Sequence, residues 1–282
     1  MTLTQPTARP AEGRTPSPRR ILMCRPERFT VRYSINPWMH PDRPTDTERA
    51  LAQWRTLVEA YEQLGFEIEY IEPLEHTPDM VYAANGGFVL DGIAYGAKFA
   101  HPERADEGPA YLERLGELGY RMHAAVETNE GEGDFLLVGD AILAGHGFRS
   151  DASSHDEIAE LFGREVVPLR LVDPSFYHLD TALAVLDPTP GREHIAYLPS
   201  AFDEASRTVL AERYPDAIIV AEEDAAVFGL NAFGNGRDIV IAAQATGFAA
   251  QLEAAGYRPI GVDLSELLLG GGGVKCCTLE LR

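Results

Sequence analysis

Four short stretches of the chain collect residue types that can do chemistry. In the closing stretch "GGGGVKCCTLELR", residues 270–282, four glycines precede Lys275 and two adjacent cysteines, Cys276 and Cys277. A cysteine behind a glycine run is open to approach, because nothing bulky precedes it, and its thiolate is a nucleophile. In "FYHLDTALAVL", His178 and Asp180 stand two apart at the head of an apolar, strand-like run. That period puts both side chains on one face. Histidine exchanges protons near neutral pH, and a carboxylate beside it can hold a cation. "NEGEGDF" interleaves Glu130, Glu132 and Asp134 with two glycines, at a spacing that is not an EF-hand's. "PDMVYAANGG" places Asp79 and Asn85 at either end of an apolar strand.

Each stretch has a plain structural reading: packed thiols, a satisfied histidine, an acidic turn, an Asn-Gly turn. Together they supply a nucleophile, an acid/base and several carboxylates, the parts of covalent catalysis. Carboxylates suit a flat cation such as guanidinium, because bidentate pairing is strong and directional. No G-x-S-x-G motif competes, and Cys276 and Cys277 are too close for a zinc site. The chemistry calls for no metal and no organic cofactor.

The elements that must position these residues repeat. An amphipathic helix, a small break and a strand recur five times: "LVEAYEQLGFEIEYIEP", "AYLERLGELGYRMHAAVE", "HDEIAELFGREVVPLRLV", "ASRTVLAERYPDAIIVAEE" and "FAAQLEAAGYRPIGVDL". Each helix carries apolar residues at i, i+3, i+4 and i+7. The breaks fall at Gly65, Gly119, Gly163, Pro215 and Gly256. Glycine permits a left-handed cap, and proline cannot continue a helix. Between units, "GGFVLDGIAYGAKF" and "DFLLVGDAILAGHG" read as hairpins. Five strand–strand–helix–strand units at a period near fifty suggest a closed radial array. A doubly wound parallel sheet would need longer apolar strands and a glycine-rich loop after the first. The chemically interesting stretches sit at unit junctions, which such an array would bring to a central axis.

Composition sets the outer limits. The 282 residues are 45% hydrophobic, enough for a sizeable core, and the formal charge is −20. That acidity argues against nucleic acid or an anionic membrane as partner and is compatible with a cationic small substrate. Three cysteines form no disulfide framework and fit a reducing cytoplasm. The polar, Pro- and Arg-rich residues 1–19 read as a disordered tail lacking a secretory signal, with one catalytic domain over 20–282. A homo-oligomer stays open.

Over residues 20–282 the chain resembles the guanidine-modifying (amidinotransferase/pentein) superfamily. Its members include dimethylarginine dimethylaminohydrolase, arginine deiminase, glycine amidinotransferase and bacterial arginine dihydrolase. The resemblance implies an α/β fold, a five-bladed α/β propeller of ββαβ units. It makes Cys276 of "KCCT" the nucleophile and His178 of "HLD" the general acid/base, with Asp180 in the deiminase and transferase form. "EGEGD" is a stretched form of the family's Glu-Gly-Gly-Asp, so Glu130 would bind guanidinium and orient His178, with Glu132 as its rival. Asp79 and Asn85 would bind substrate. Asn85 and the "INPWM" stretch around Asn36 are similar to the arginine dihydrolases. Arg104 in "HPER" and Arg149 in "GHGFRS" would grip the substrate carboxylate. The implied activity is hydrolysis at the guanidinium carbon of L-arginine or an Nω-methylated arginine through an amidino-cysteine intermediate. An amidinotransferase or a non-catalytic binding propeller is the alternative. On a strand, neighbours point to opposite sides, so Cys276 is expected to face the site and Cys277 the packing.

Overall fold

The computed structural model describes residues 14–282. Its strands form five separate three-stranded sheets, each antiparallel across its first pair and parallel across its second. A parallel pair needs a crossover, and in every unit a helix supplies it. The first unit runs β1 (Arg20–Cys24), α1 (Thr47–Gln63) and β2 (Glu67–Ile71). The second comprises β3 (Gly87–Leu90), β4 (Ile93–Gly96), α2 (Glu107–Glu117) and β5 (Arg121–His123). The third contains β6 (Phe135–Val138), β7 (Ala141–His146), α3 (Ser153–Phe162) and β8 (Glu165–Arg170). In the fourth, a single helical turn α4 (Leu179–Ala182) leads into β9 (Leu183–Asp187), β10 (His194–Tyr197), α5 (Glu204–Arg213) and β11 (Ile218–Ile219). The fifth holds α6 (Glu222–Ala225), β12 (Phe233–Gly234), β13 (Asp238–Ala242), α7 (Thr246–Ala254) and β14 (Arg258–Val262). The last strand, β15 (Leu279–Leu281), returns to the first unit and pairs antiparallel with β1, Arg20 opposite Leu281. One continuous doubly wound sheet is thereby excluded.

Local chemistry explains the units. Helix α1 starts where the Asp46 carboxylate accepts from Arg49 N at 3.0 Å. It buries Ala50, Trp54, Leu57, Val58 and Tyr61 along one stripe. The glycine breaks at Gly65, Gly119, Gly163 and Gly256 all adopt positive φ, as left-handed ends require. Asp91 and Gly92 also take positive φ, the geometry of a two-residue hairpin turn between β3 and β4. No helix of the described residues is long and apolar enough to cross a membrane.

Residues 1–13 of the expected tail lie outside the described residues. Residues 14–19 do not stand apart from the fold. Ser17 N donates to Asn235 O at 2.8 Å, Arg19 reaches Gly234 O at 2.7 Å and Glu280 at 2.5 Å, and Arg14 stacks 3.8 Å over the Tyr257 ring. Composition reads this stretch as polar and unstructured. Carboxylates and carbonyls far along the chain give its arginines partners.

Three local expectations change. Asp79 and Asn85 do not flank a strand, because residues 78–81 and 83–86 form two successive 3-10 turns. His178 and Asp180 do not begin one either: His178 caps α4 and Asp180 lies inside it. Cys276 and Cys277 lie in a turn before β15, where Cys277 N donates to Gly273 O and Thr278 N to Lys275 O. In each case backbone donors are satisfied within the turn, which bends the chain just ahead of a strand. Accordingly Asn85, Glu130, Asp180, Asn231 and Cys276 each sit just before the first strand of a unit.

Candidate active site

Cys276 is 2% exposed, and its sulfur has two polar neighbours. Sγ donates to Asp180 Oδ2 at 3.3 Å and accepts from Asn231 Nδ2 at 3.1 Å. Its carbonyl accepts from Ala84 N at 3.0 Å, tying the cysteine turn to the segment that carries Asn85. Lys275 points elsewhere, donating to Glu132 at 2.6 Å and to Thr278 O at 2.8 Å. The preceding glycines are not a loose hinge. A Cβ on Gly272 would stand 2.3 Å from the Tyr82 ring, and one on Gly271 would stand 2.7 Å from the Tyr177 hydroxyl. Bare backbone is what lets two tyrosines close over this stretch.

His178 Nε2 lies 2.8 Å from Glu130 Oε2. Glu130 also takes Arg149 Nη1 on both oxygens, at 2.9 and 3.2 Å. Burial alone would raise this carboxyl, but Arg149 and His178 outweigh it and hold Glu130 well below the usual carboxylate range. An ionised carboxylate only accepts, so His178 Nε2 carries the hydrogen and Nδ1 is the basic atom. Asp134 braces the same junction, accepting from Leu179 N at 3.1 Å and Ser150 Oγ at 2.6 Å. Burial pushes its carboxyl up to about 6.

The two glutamates of the "EGEGD" motif have different partners. Glu132 is engaged by Lys275, Glu280 N and Arg282, whereas Glu130 faces His178. Arg104 and Arg149, expected at a substrate carboxylate, are both held by protein acceptors. Arg104 grips Glu107 at 3.0 and 2.7 Å, Asn85 Oδ1 at 2.9 Å and Asp79 O at 3.2 Å. Arg149 adds Ile35 O at 3.0 Å to its Glu130 contacts and lies over the Tyr177 ring. Asn36 is equally occupied: it donates to Gly270 O at 3.1 Å and accepts from Trp38 N at 2.9 Å.

Residues 33–39 lie over the cluster through these bonds. Tyr33 donates to Asp79 Oδ2 at 2.8 Å, and Trp38 Nε1 donates to Ser175 O at 2.9 Å. Asp79, Glu130, His178 and Asp180 are 2%, 0%, 1% and 0% exposed. Asp79 Oδ1, His178 Nδ1 and Asp180 Oδ1 are buried without hydrogen-bond partners. Buried polar atoms are rarely left so, and two carboxylate oxygens and an imidazole nitrogen can each accept from a donor. Burial pushes Asp180 up to about 7, with Lys275 and the Cys276 and Asn231 hydrogen bonds pulling it back. It also raises Asp79, against Arg104 and Tyr33. Burial and the Asp180 charge push the Cys276 thiol up. A cation arriving among these carboxylates would reverse their desolvation cost and help ionise the sulfur.

Sequence reasoning misses four residues in this shell. Glu107 was within reach as the i+3 partner of Arg104. Asn231 occupies the junction position before β12 that the other units fill with chemistry-bearing residues, and that symmetry was its only signal. Tyr33 and Tyr177 sit in irregular segments and carry none.

Known proteins are similar to this chain in sequence and fold. Residues 25–282 match the family model described as N,N dimethylarginine dimethylhydrolase, eukaryotic. The N(G),N(G)-dimethylarginine dimethylaminohydrolase of Mycobacterium tuberculosis is 54% identical over 270 residues, 95% of this chain and 88% of that protein. The bifunctional arginine dihydrolase/ornithine cyclodeaminase ArgZ of Synechocystis is 37% identical over 93% of this chain, which spans only 37% of that longer protein. Among solved structures, the N-terminal domain of ArgZ, a cysteine-to-serine variant bound to substrate, superposes with a TM-score of 0.88 at 36% identity, covering 94% of this chain and 98% of the domain.

Proposed function

The chain belongs to the N,N dimethylarginine dimethylhydrolase family and is a hydrolase of guanidino C–N bonds; from that premise we propose that Cys276 attacks the guanidinium carbon of a free arginine or Nω-methylated arginine. The observation that carries this reading is the position of Cys276 Sγ against Asp180, whose second carboxylate oxygen is buried and has no partner. The five units are taken to surround one axis, so that their junctions converge on the substrate.

The steps balance as follows. The thiol proton moves to Asp180 Oδ2, and the sulfur's electron pair attacks the guanidinium carbon. Asp79 and Asp180 Oδ1 accept guanidinium N–H groups, while Glu130 orients His178. The tetrahedral adduct expels its amine, which takes the proton that solvent had placed on His178 Nδ1 before the substrate entered, and an amidino-thioether remains. Neutral His178 then removes a proton from water, and the resulting hydroxide adds to the same carbon. Collapse breaks the C–S bond and returns its electron pair to sulfur, Asp180 gives the proton back to the sulfur, the adduct's hydroxyl proton passes to solvent, and the urea group of citrulline remains. Asn85 and Asn36 border the substrate segment. Arg104 and Arg149 hold Asn85 and Glu130 in the resting protein, and gripping a substrate carboxylate requires them to exchange one protein acceptor for it.

Two substrates fit. Nω,Nω-Dimethylarginine is the first, supported by the 54% identity to the mycobacterial enzyme. L-Arginine is the second, supported by Asn85 and by the likeness to substrate-bound ArgZ. Incubation with each, followed by mass spectrometry, separates them. Citrulline with dimethylamine, only from the methylated substrate, establishes the first. Ornithine, ammonia and carbon dioxide from arginine establish the second. Amidino transfer to an added amine without hydrolysis overturns both.

The acid limb follows from the Asp180–Cys276 pair. Above about pH 7 the pair holds one proton and carries one negative charge. Below it the pair holds two, and both the cation partner and the incipient thiolate are lost. The ratio kcat/KM is therefore expected to fall about tenfold per pH unit below 7. A profile flat down to pH 5.5, roughly the free carboxylate region plus one unit, would contradict it.

A further inference from the structure

We propose that Asn231 is a catalytic residue whose side-chain amide stabilises the Cys276 thiolate; this rests on the reading of Cys276 as nucleophile. Asn231 is fully buried, just ahead of β12. Its backbone oxygen accepts from Lys275 N at 3.2 Å. Its Oδ1 accepts from Cys276 N at 3.0 Å, and its Nδ2 donates to Asp180 O at 3.1 Å and to Cys276 Sγ at 3.1 Å. Two of these partners are backbone groups of fixed polarity. An N–H must face Oδ1, and a carbonyl must face Nδ2, so the amide cannot turn over. Its second N–H is therefore aimed at sulfur whatever the state of the thiol.

This geometry discriminates between the two forms. A neutral thiol is a weak acceptor, whereas a thiolate takes a charge-assisted hydrogen bond. When the thiol proton passes to Asp180 Oδ2, the S–H bond breaks, its electron pair stays on sulfur, and the Asn231 N–H is already in place. A donor preorganised where charge develops needs no reorganisation during reaction. The same asparagine holds both ends of the proton transfer, because it bonds the backbone of Asp180 and the backbone and sulfur of Cys276.

The test uses the full chain in a Cys277→Ser background. Ultraviolet thiolate absorbance is followed against pH for the parent, Asn231→Ala and Asn231→Leu, with Cys276→Ser as the blank. The expected result is a thiol pKa raised by about one unit or more, a tenfold loss of thiolate at fixed pH. With it kcat should fall about 10²-fold with little change in KM, as for loss of one oxyanion-type donor. Folding is checked by circular dichroism. A second measurement needs no Asn231 variant: in asparagine-labelled protein, the Asn231 side-chain amide resonance should move with the thiol titration. An unmoved resonance, or parental pKa and kcat in folded variants, overturns the proposal. Activity surviving in Cys276→Ser would instead overturn the nucleophile reading, independently of what the amide resonance does.

Discussion

Replacing Cys276 by serine is expected to abolish turnover, a loss of about 10⁴–10⁶-fold, the scale seen when a covalent nucleophile is removed. Replacing its neighbour should leave kcat within a few-fold. Both cysteines are buried, so exposure does not separate them. Contacts do. Both belong to the apolar cluster that holds Tyr61, Phe233 and Val274, but only Cys276 Sγ has polar partners, Asp180 and Asn231. A serine at 277 buries a hydroxyl in that cluster and should cost roughly 1–3 kcal/mol of stability. The measurement is steady-state citrulline or ornithine production for both variants, with urea midpoints beside it. Intact-mass spectra of quenched parent enzyme should also carry an amidino adduct, absent in Cys276→Ser. Equal activity losses in the two serine variants would remove the assignment.

Glu130→Gln should have the next largest effect, on activity and stability together. Glu130 is completely buried and receives both His178 and Arg149. A neutral amide no longer dictates which imidazole nitrogen carries the hydrogen, so Nδ1 ceases to be reliably basic. Loss of an oriented acid/base predicts about 10²–10⁴-fold in kcat. The substitution also leaves the Arg149 guanidinium, 3% exposed, without its charge partner. Breaking a buried pair from one side typically costs about 3–5 kcal/mol, because a charge stays in the interior uncompensated. Urea unfolding checks that half of the prediction. Unchanged stability would mean that Arg149 finds another acceptor. Unchanged kcat would mean that His178 is oriented by something else.

Glu132→Gln makes a useful contrast. Glu132 sits two residues away and is as deeply buried, but its partners are Lys275, Arg282 and Glu280 N. It anchors the C-terminal strand rather than the histidine. The two carboxylates have different partners, although the motif "EGEGD" looks the same from either.

Much of the architecture was legible because its signals are local. Helix stripes, glycine breaks and hairpin turns depend on residues a few positions apart, and all five helix–break–strand phrases appear in the structure as read. The site residues were legible by type, since thiol, imidazole and carboxylates have few alternatives for this chemistry. Their backbone settings were not. Short apolar runs around Asp79, His178 and Cys276 read as strands, whereas the chain turns there to satisfy backbone donors before each strand begins.

Sequence alone thus determined that there would be five α/β units, with residues of reactive type at their junctions. Only tertiary structure decided which reactive groups meet. Cys276 lies 96 positions from Asp180 and 45 from Asn231, and the Lys275–Glu132 pair spans 143. No local period encodes such separations. They follow from how the units pack, which set Glu130 against His178 and Glu132 against Lys275, committed Arg149 to a protein carboxylate, and set an asparagine amide against the sulfur.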